Sequence, residues 1–157
     1  MQHTNLQKNL FGGDRLIPVS SGTKMAGLPD HTLKVIGEWK AMPKLVIGST
    51  LHITSKIVSQ GNEDGNIANG APGDAGVKGY QLIHVHANYA AQKGLDYFAR
   101  INNLFDRKYE TYGQIAHSFF DQNGSPVDPS VAPDGNISRF VAPGAPRSFM
   151  VGLRYRY

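Results

Sequence analysis

The sequence predicts an all-β protein whose antiparallel strands form part of a transmembrane β-barrel, and three observations lead to this fold class. Apolar and polar residues alternate in five segments, which is the period of a strand with one apolar face. Glycine is abundant, with 18 residues in a chain of 157, and no window has the apolar spacing of an amphipathic helix. Short turns and long loops join the five segments alternately, which is the layout of an outer-membrane barrel.

The first two strands are predicted in residues 31–39 and 45–54, and the turn AMPK at 41–44 joins them, with Pro43 ending the strand pattern. Two alternating runs across a short turn predict a β-hairpin. One face of the first run carries Leu33, Val35, Gly37 and Trp39. The matching face of the second carries Leu45, Ile47, Ser49, Leu51 and Ile53.

Two further strands are predicted in residues 80–89 and 95–103, joined by the turn AAQKG at 90–94. The segment 55–79 before them is glycine-rich and polar, which predicts a long loop. The apolar set of the third strand is Ile83, Val85, Ala87 and Tyr89. That of the fourth is Leu95, Tyr97, Ala99 and Ile101.

The fifth strand is predicted in RSFMVGLRYRY, at residues 147–157, after a second long excursion over 104–146. Its apolar set ends on an aromatic ring and consists of Phe149, Val151, Leu153, Tyr155 and Tyr157. Arg154 and Arg156 lie on the other face.

The apolar sets of all five strands lack charge, which indicates that they face lipid. The charged strand residues fall on the opposite face: Lys34, Glu38, Asp96, Arg100, Arg154 and Arg156. Each Lys or Arg at the bilayer midplane would cost about 2–4 kcal/mol on the lipid side. Aromatic rings gather at the strand ends next to the short turns, as in an interfacial girdle. They are Trp39, Tyr89, Tyr97, Tyr155 and Tyr157.

Composition excludes several other classes of protein. The chain has no cysteine, so disulfides and thiolate metal sites are excluded. It has no apolar run of about 18 residues, and its first residues lack the features of a signal peptide. The net charge of +4 is scattered, which does not indicate nucleic-acid binding. No Ser/His/Asp or paired-carboxylate pattern indicates catalysis, so we expect a protein that is not an enzyme.

Polar side chains on the charge-bearing face are candidates for lining a lumen: His52, His84, His86, Arg100 and Asn102. His84 and His86 are two residues apart on one strand, and His52 lies on the same face of the neighbouring strand. They could share a metal ion, but histidines bonded to neighbours or water are the favoured interpretation, and we expect no metal site.

Several segments resemble TonB-dependent outer-membrane receptors. NLFDRKYETYG at 103–113 is similar to the NLFD segment that follows their penultimate strand, with matching residues Asn103, Leu104, Phe105, Asp106 and Tyr109. VAPGAPRSFMVGLRYRY at 141–157 resembles their ending. GDRLIP at 13–18, GLPDHTLKV at 27–35 and GYQLIHVHANY at 79–89 resemble earlier segments, in the family order.

The resemblance implies about the last five strands of a barrel of 22 antiparallel strands, in the outer membrane of a Gram-negative bacterium. Such receptors import iron–siderophore complexes or other scarce nutrients and need no cofactor. The implied partners are outer-membrane lipid, the rest of the barrel and its plug, the barrel-assembly machinery, and TonB only through the plug. The last strand, with Phe149, Val151, Leu153, Tyr155 and Tyr157, is implied to be the assembly signal. Residues 1–157 are expected to be a partial barrel segment without a plug, not competent for transport alone.

Two alternatives fit the alternation. A soluble all-β binding module would also have one polar and one apolar face. A small barrel closed by several copies of the chain would need an even number of copies for antiparallel closure. The absence of charge from one face and the aromatic girdle favour the membrane interpretation.

Overall fold

The computed structural model describes residues 24–62, 76–121, 123–133 and 135–157, together with the backbone of 3–8 and 14–19. These residues form eleven strands and no helix, which confirms the predicted all-β class. No helix in the described part of the chain is long and apolar enough to cross a membrane. The chain divides into two compact units, one of residues 1–29, 56–77 and 110–142, the other of residues 30–55, 78–109 and 143–157.

The strands are numbered β1 to β11 in chain order. They are His3–Lys8, Asp14–Val19, Thr32–Met42, Leu45–Thr54, Ile57–Val58, Gly76–Val77, Tyr80–Gln92, Leu95–Asn102, Glu110–Ser118, Asn136–Pro143 and Ser148–Tyr155.

The second unit is a five-stranded sheet with the order β11-β8-β7-β4-β3, in which every neighbouring pair is antiparallel. Its strands are the five predicted from alternation. The register aligns their apolar sets, since Leu51 lies opposite both Val35 and Ile83. Ile101 likewise lies opposite both Val85 and Phe149. Because side chains alternate between faces, this register collects the apolar sets on one face of the sheet.

The two turns of this sheet are shorter than predicted. β3 continues to Met42 and β7 to Gln92, so each turn contains only two residues. The pairing shifts register between Lys40 and Met42, and again between Ala90 and Gln92. Each shift is a β-bulge, in which β3 or β7 has one extra residue that has no partner on the neighbouring strand. Strand pairing continues beyond each bulge up to the turn. The predicted turns at 41–44 and 90–94 are therefore wrong in length, although correct in position.

The last strand ends two residues before the chain does. It was predicted to reach Tyr157 but stops at Tyr155. The backbone N–H of Arg156 donates to the carbonyl oxygen of Gly94 at 2.7 Å, and its guanidinium pairs with Asp96 at 2.5 Å. Gly94 has a φ of 80°, and a side chain there would collide with the Arg156 carbonyl. The turn between β7 and β8 thus anchors the end of the chain.

The long segments contain strands that the sequence did not predict. β1 pairs with β2, β5 with β6 and β9 with β10, each as a two-stranded sheet. β1 and β2 lie in residues 1–30, where no strand was predicted. The prediction that 55–79 and 104–146 are long loops is wrong for β5, β6, β9 and β10. β5 and β6 have only two residues each, too few to show an alternation. Residues 9–13, 20–23 and 63–75 lie outside the described part, with Gly13 of the GDRLIP segment among them.

A small core lies in the first unit. Ile57, Val77 and Ser59 are buried there. Gly113 allows close approach, because an added Cβ would lie only 3.0 Å from a methyl group of Val77. Arg139 forms an ion pair with Glu110 and donates to the carbonyl oxygen of Gly76 at 3.1 Å. These contacts organise part of the predicted loops into folded structure.

The segment between β9 and β10 is ordered by aspartate side chains. The hydroxyl and backbone N–H of Ser130 donate to Asp128 Oδ1 at 2.7 and 2.8 Å. These hydrogen bonds, the hydroxyl first, hold the pKa of the Asp128 carboxyl below its usual value of 3.8. Asp121 similarly accepts from the backbone N–H groups of Asn123 and Ser125, each at 2.8 Å. Side-chain acceptors of this kind replace backbone partners in turns.

Candidate functional site

One face of the five-stranded sheet is apolar and exposed. A row across all five strands joins residues that lie opposite one another in the register: Trp39, Ile47, Ala87, Ala99 and Val151. Val151 is 81% exposed and Trp39 is 68% exposed. Exposed apolar side chains arranged contiguously in this way mark an interaction surface. The row contains no charged or polar side chain, so its complementary environment is apolar.

Aromatic side chains concentrate at the end of this face that carries the two-residue turns. Tyr89 lies directly opposite Tyr97. The flanking positions of the same row are Leu45 and Leu153. Tyr155 lies opposite Leu95, one row nearer the turns. The predicted clustering of aromatic rings beside the short turns is therefore present in the sheet.

The opposite face carries the charged strand residues. A row across it consists of Glu38, Gly48, His86, Arg100 and Met150. The His86 imidazole nitrogen Nε2 lies 3.4 Å from the Glu38 carboxylate. Its ring occupies the space above Gly48, where an added Cβ would collide with the imidazole. The absence of a side chain at position 48 therefore allows His86 to reach Glu38.

The three predicted lumen histidines share this face but have separate partners. His52 Nε2 lies 3.4 Å from the Thr54 hydroxyl. His84 Nδ1 accepts a hydrogen bond from the backbone N–H of Asn103 at 3.3 Å. Nowhere in the described ranges are three His, Cys, Asp or Glu side chains placed to hold a metal ion. The arrangement gives the metal interpretation no support.

The remaining two predicted lumen residues lie on β8. Arg100 is placed opposite His86 on one side and Met150 on the other. The amide nitrogen of Asn102 donates to the Ser148 hydroxyl at 3.1 Å, which links the end of β8 to the start of β11. Their roles toward a ligand remain predictions.

The NLFD segment forms a tight turn centred on Asn103, which is only 3% exposed. Its side-chain nitrogen donates to the carbonyl oxygens of Arg107 and Ala145, at 2.9 and 3.1 Å. Its Oδ1 accepts from the backbone N–H of Arg107 at 2.9 Å. Asn103 has a φ of 50°, a conformation that asparagine tolerates better than most residues. All the hydrogen-bonding groups of this side chain are used within the fold.

Leu104 and Asp106 of this segment form hydrogen bonds to other parts of the chain, whereas Phe105 is exposed. The Leu104 backbone N–H donates to the carbonyl oxygen of Ile83 at 2.8 Å, whereas the side chain of Phe105 is exposed. Asp106 Oδ1 accepts from the backbone N–H of Arg147 at 2.9 Å.

Tyr109 closes the segment. Its ring lies against Gly144 and 4.5 Å from the Tyr80 ring. The motif indicated Tyr109, but no local pattern indicated Gly144 or Tyr80 as its partners, because both are distant along the chain.

Solved structures of bacterial siderophore receptors share this fold. The TM-score is 0.62 with the siderophore receptor PiuA from Acinetobacter baumannii, at 18% identity, over 91% of this chain and 16% of that one. The closed form of the ferric-catecholate import receptor Fiu from E. coli K12 matches with a TM-score of 0.57 at 16% identity. That match covers 92% of this chain and 18% of Fiu. P. aeruginosa FpvA, in a complex with iron and a heterologous pyoverdine, matches with a TM-score of 0.54 at 19% identity. That match covers 90% of this chain and 16% of FpvA.

The described chain therefore has the all-β, antiparallel fold of a segment of these receptors, which are transport proteins and not enzymes. It spans about one sixth of the length of PiuA and FpvA. No family model and no curated protein matches the sequence.

Proposed function

We propose that this chain is a C-terminal part of the β-barrel of a TonB-dependent receptor, which takes up iron–siderophore complexes or another scarce nutrient. The observation that carries the proposal is the division of the sheet into a charge-free apolar face and a face bearing Glu38, His86 and Arg100. A soluble binding module would expose this apolar face to water, since side chains such as Trp39 and Val151 are exposed on it.

The proposal places the chain in the outer membrane of a Gram-negative bacterium. Acyl chains of the outer membrane then cover the apolar face, and the aromatic rings near the short turns lie at the interface. In the described sheet, β3 and β11 each have a neighbour on one side only. We assign their other edges to strands of the remaining barrel, since closure removes exposed edges.

We assign the charged face to the lumen of that barrel. The residues that line it there would be His52, His84, His86, Arg100 and Asn102, facing the plug or the iron chelate. TonB acts on this chain only through the plug. Residues 1–157 are then one partial barrel segment, and transport needs the rest of the receptor.

A vesicle experiment tests the proposal. The chain contains one tryptophan, Trp39, on the apolar face. In vesicles of phosphatidylcholine and phosphatidylglycerol, brominated acyl chains should quench Trp39 fluorescence strongly, because the proposal places the ring at the edge of the hydrocarbon. The same vesicles should take up no ferric siderophore above the level of protein-free vesicles, because the chain lacks a complete barrel.

The water-soluble quencher acrylamide provides the control. In the proposed orientation, acrylamide should quench Trp39 less in vesicles than in urea, while brominated lipid should have no effect in urea. Strong acrylamide quenching without quenching by brominated lipid would disprove the membrane assignment. Saturable uptake of a ferric siderophore by the chain alone would disprove the partial-barrel assignment.

The last strand is proposed to be the assembly signal, through Phe149, Val151, Leu153, Tyr155 and Tyr157. Recognition by strand addition needs a free edge and alternating side chains, and β11 supplies both. In a complete receptor carrying this ending, a Tyr157→Ala variant should accumulate more slowly in the outer membrane. Its assembled barrel should keep its thermal stability, because Tyr157 lies beyond the end of β11. Equal rates of accumulation for the variant and the parent receptor would contradict this role.

A further inference from the structure

The segment that follows β8 and the segment that precedes β11 run beside each other but differ in length. Asn102 lies opposite Ser148 at the end of the β8–β11 pairing. Beyond it, the Gly144 backbone N–H donates to the carbonyl oxygen of Tyr109 at 2.7 Å. Between these two links one side has six residues, 103–108, and the other has three, 145–147. Three surplus residues must therefore be folded out of the ladder.

Residues 103–108, here called the Asn103 turn, take up that surplus. Asn103 and Asp106 both have positive φ, at 50° and 51°, and the chain turns over residues 103–105. The backbone N–H of Asp106 donates to the Asn103 carbonyl oxygen at 2.8 Å. The Arg107 N–H donates to the Asn103 side chain at 2.9 Å. The turn is thus closed by its own hydrogen bonds.

The Asn103 turn also holds the three residues that lead into β11. The Asn103 amide donates to Ala145 at 3.1 Å, and Asp106 accepts from Arg147 at 2.9 Å. These two bonds bracket the segment 145–147 immediately before the strand begins. Asn103 is also tied to β7 through His84. The start of β11 is therefore fixed to both β8 and β7.

Register matters at this position because the two faces of the sheet differ. A slip of β11 by one or three residues would turn every one of its side chains to the opposite face. Arg154 would then lie on the apolar face, and Val151 and Leu153 on the charged face. The pairing of backbone groups alone does not prevent such a slip, because a ladder can form in any register.

We propose that the Asn103 turn sets the register of β11 on β8. It does so by storing the three surplus residues and by binding Ala145 and Arg147 on the opposing segment. This goes beyond the proposed function, since it concerns how the last strand is positioned and depends on neither a cargo nor a plug.

Crosslinking between introduced cysteines measures the register directly, because the chain has no cysteine of its own. The in-register pair is Ala99→Cys with Val151→Cys. The slipped pair is Ala99→Cys with Arg154→Cys, because release of the three surplus residues would continue the register of the Tyr109–Gly144 link into β8. A pair between β7 and β8, Ala87→Cys with Ala99→Cys, reports whether the rest of the sheet has formed. A short bifunctional thiol reagent is applied to the full chain in detergent micelles, since it tolerates both pair geometries of an antiparallel ladder.

Asn103→Gly and Asp106→Gly remove the side-chain bonds but still permit positive φ. In Asn103→Gly, which loses three part-buried side-chain hydrogen bonds, the in-register yield should fall relative to the slipped yield by about tenfold or more. In Asp106→Gly, which loses one exposed hydrogen bond, it should fall by about threefold. Asn103→Asp keeps the acceptor for Arg107 but loses both donors, so it should behave like Asn103→Gly. Asn123→Gly, the same change at an exposed position, should leave the ratio unchanged.

In all variants the β7–β8 pair should crosslink as in the parent chain. An unchanged ratio of in-register to slipped yield in Asn103→Gly would overturn the proposal. Loss of the β7–β8 crosslink together with the in-register one would also overturn it, because the turn would then stabilise the sheet as a whole.

Discussion

A Val151→Arg variant should fail to insert into lipid vesicles under conditions in which the parent chain inserts. Val151 is 81% exposed, lies in the middle of β11 and belongs to a row without charge. An arginine facing lipid near the midplane costs about 2–4 kcal/mol, which lowers the inserted fraction by one to three orders of magnitude. Flotation of vesicles on a density gradient measures the bound fraction of the chain.

Met150→Arg is the matched control, one residue away on the same strand. Met150 is 53% exposed but lies in the row with Glu38, His86 and Arg100, where the sheet already carries charge. This variant should float with the vesicles like the parent chain. Equal flotation of the two arginine variants would show that the faces do not differ toward lipid, and the membrane assignment would fail.

A Gly48→Leu variant should lose much of the stability of the sheet. An added Cβ at position 48 would collide with the His86 ring, which lies between two strands and 3.4 Å from Glu38. Relief requires the imidazole to leave its place and abandon Glu38, or the backbone to shift. Overpacking of this kind costs about 1–3 kcal/mol. The midpoint of urea unfolding in detergent, followed by Trp39 fluorescence, should fall accordingly.

Gly37→Leu makes the same change on the neighbouring strand at a position with nothing within 4 Å of an added Cβ. Gly37 lies opposite Ser49 on the apolar face, where a leucine has space and an apolar environment. Its urea midpoint should equal or exceed that of the parent chain, because glycine weakens the interior of a strand. A Gly48→Leu midpoint as high as that of Gly37→Leu would contradict the role of Gly48.

The faces of the five long strands could be predicted from the sequence because alternation has a period of two. Once Val35 and Leu51 are assigned to the same face of a hairpin, the opposing register follows, and the structure pairs them directly. The two short turns then predict the β3–β4 and β7–β8 pairings, since antiparallel neighbours can be joined by a two-residue hairpin.

The Asn103 turn and the hairpin of β9 and β10 could not be predicted in the same way. Asn103 and Ala145 are 42 residues apart, and no local pattern signals a bond over that distance. β9, with the sequence ETYGQIAHS, has mixed polarity on both faces, so it has no clear alternation. The bulges near Met42 and Gln92 depend on pairing across strands, which the sequence of one strand does not contain.

The strand order also determines how unequal the steps of folding are. Pairing β3 with β4 closes a loop of two residues, whereas pairing β8 with β11 closes a loop of 45, over 103–147. The entropic cost of closure grows with the logarithm of loop length, so the second step costs about 3 kcal/mol more. If β9 and β10 pair first, that step closes a loop of 17 residues, over 119–135, and only the seven residues 103–109 and the four residues 144–147 remain for the β8–β11 step to close. Shortening this loop from 45 to eleven residues lowers the closure cost of the β8–β11 step by about 1 kcal/mol, so early pairing of β9 with β10 should speed the docking of β11.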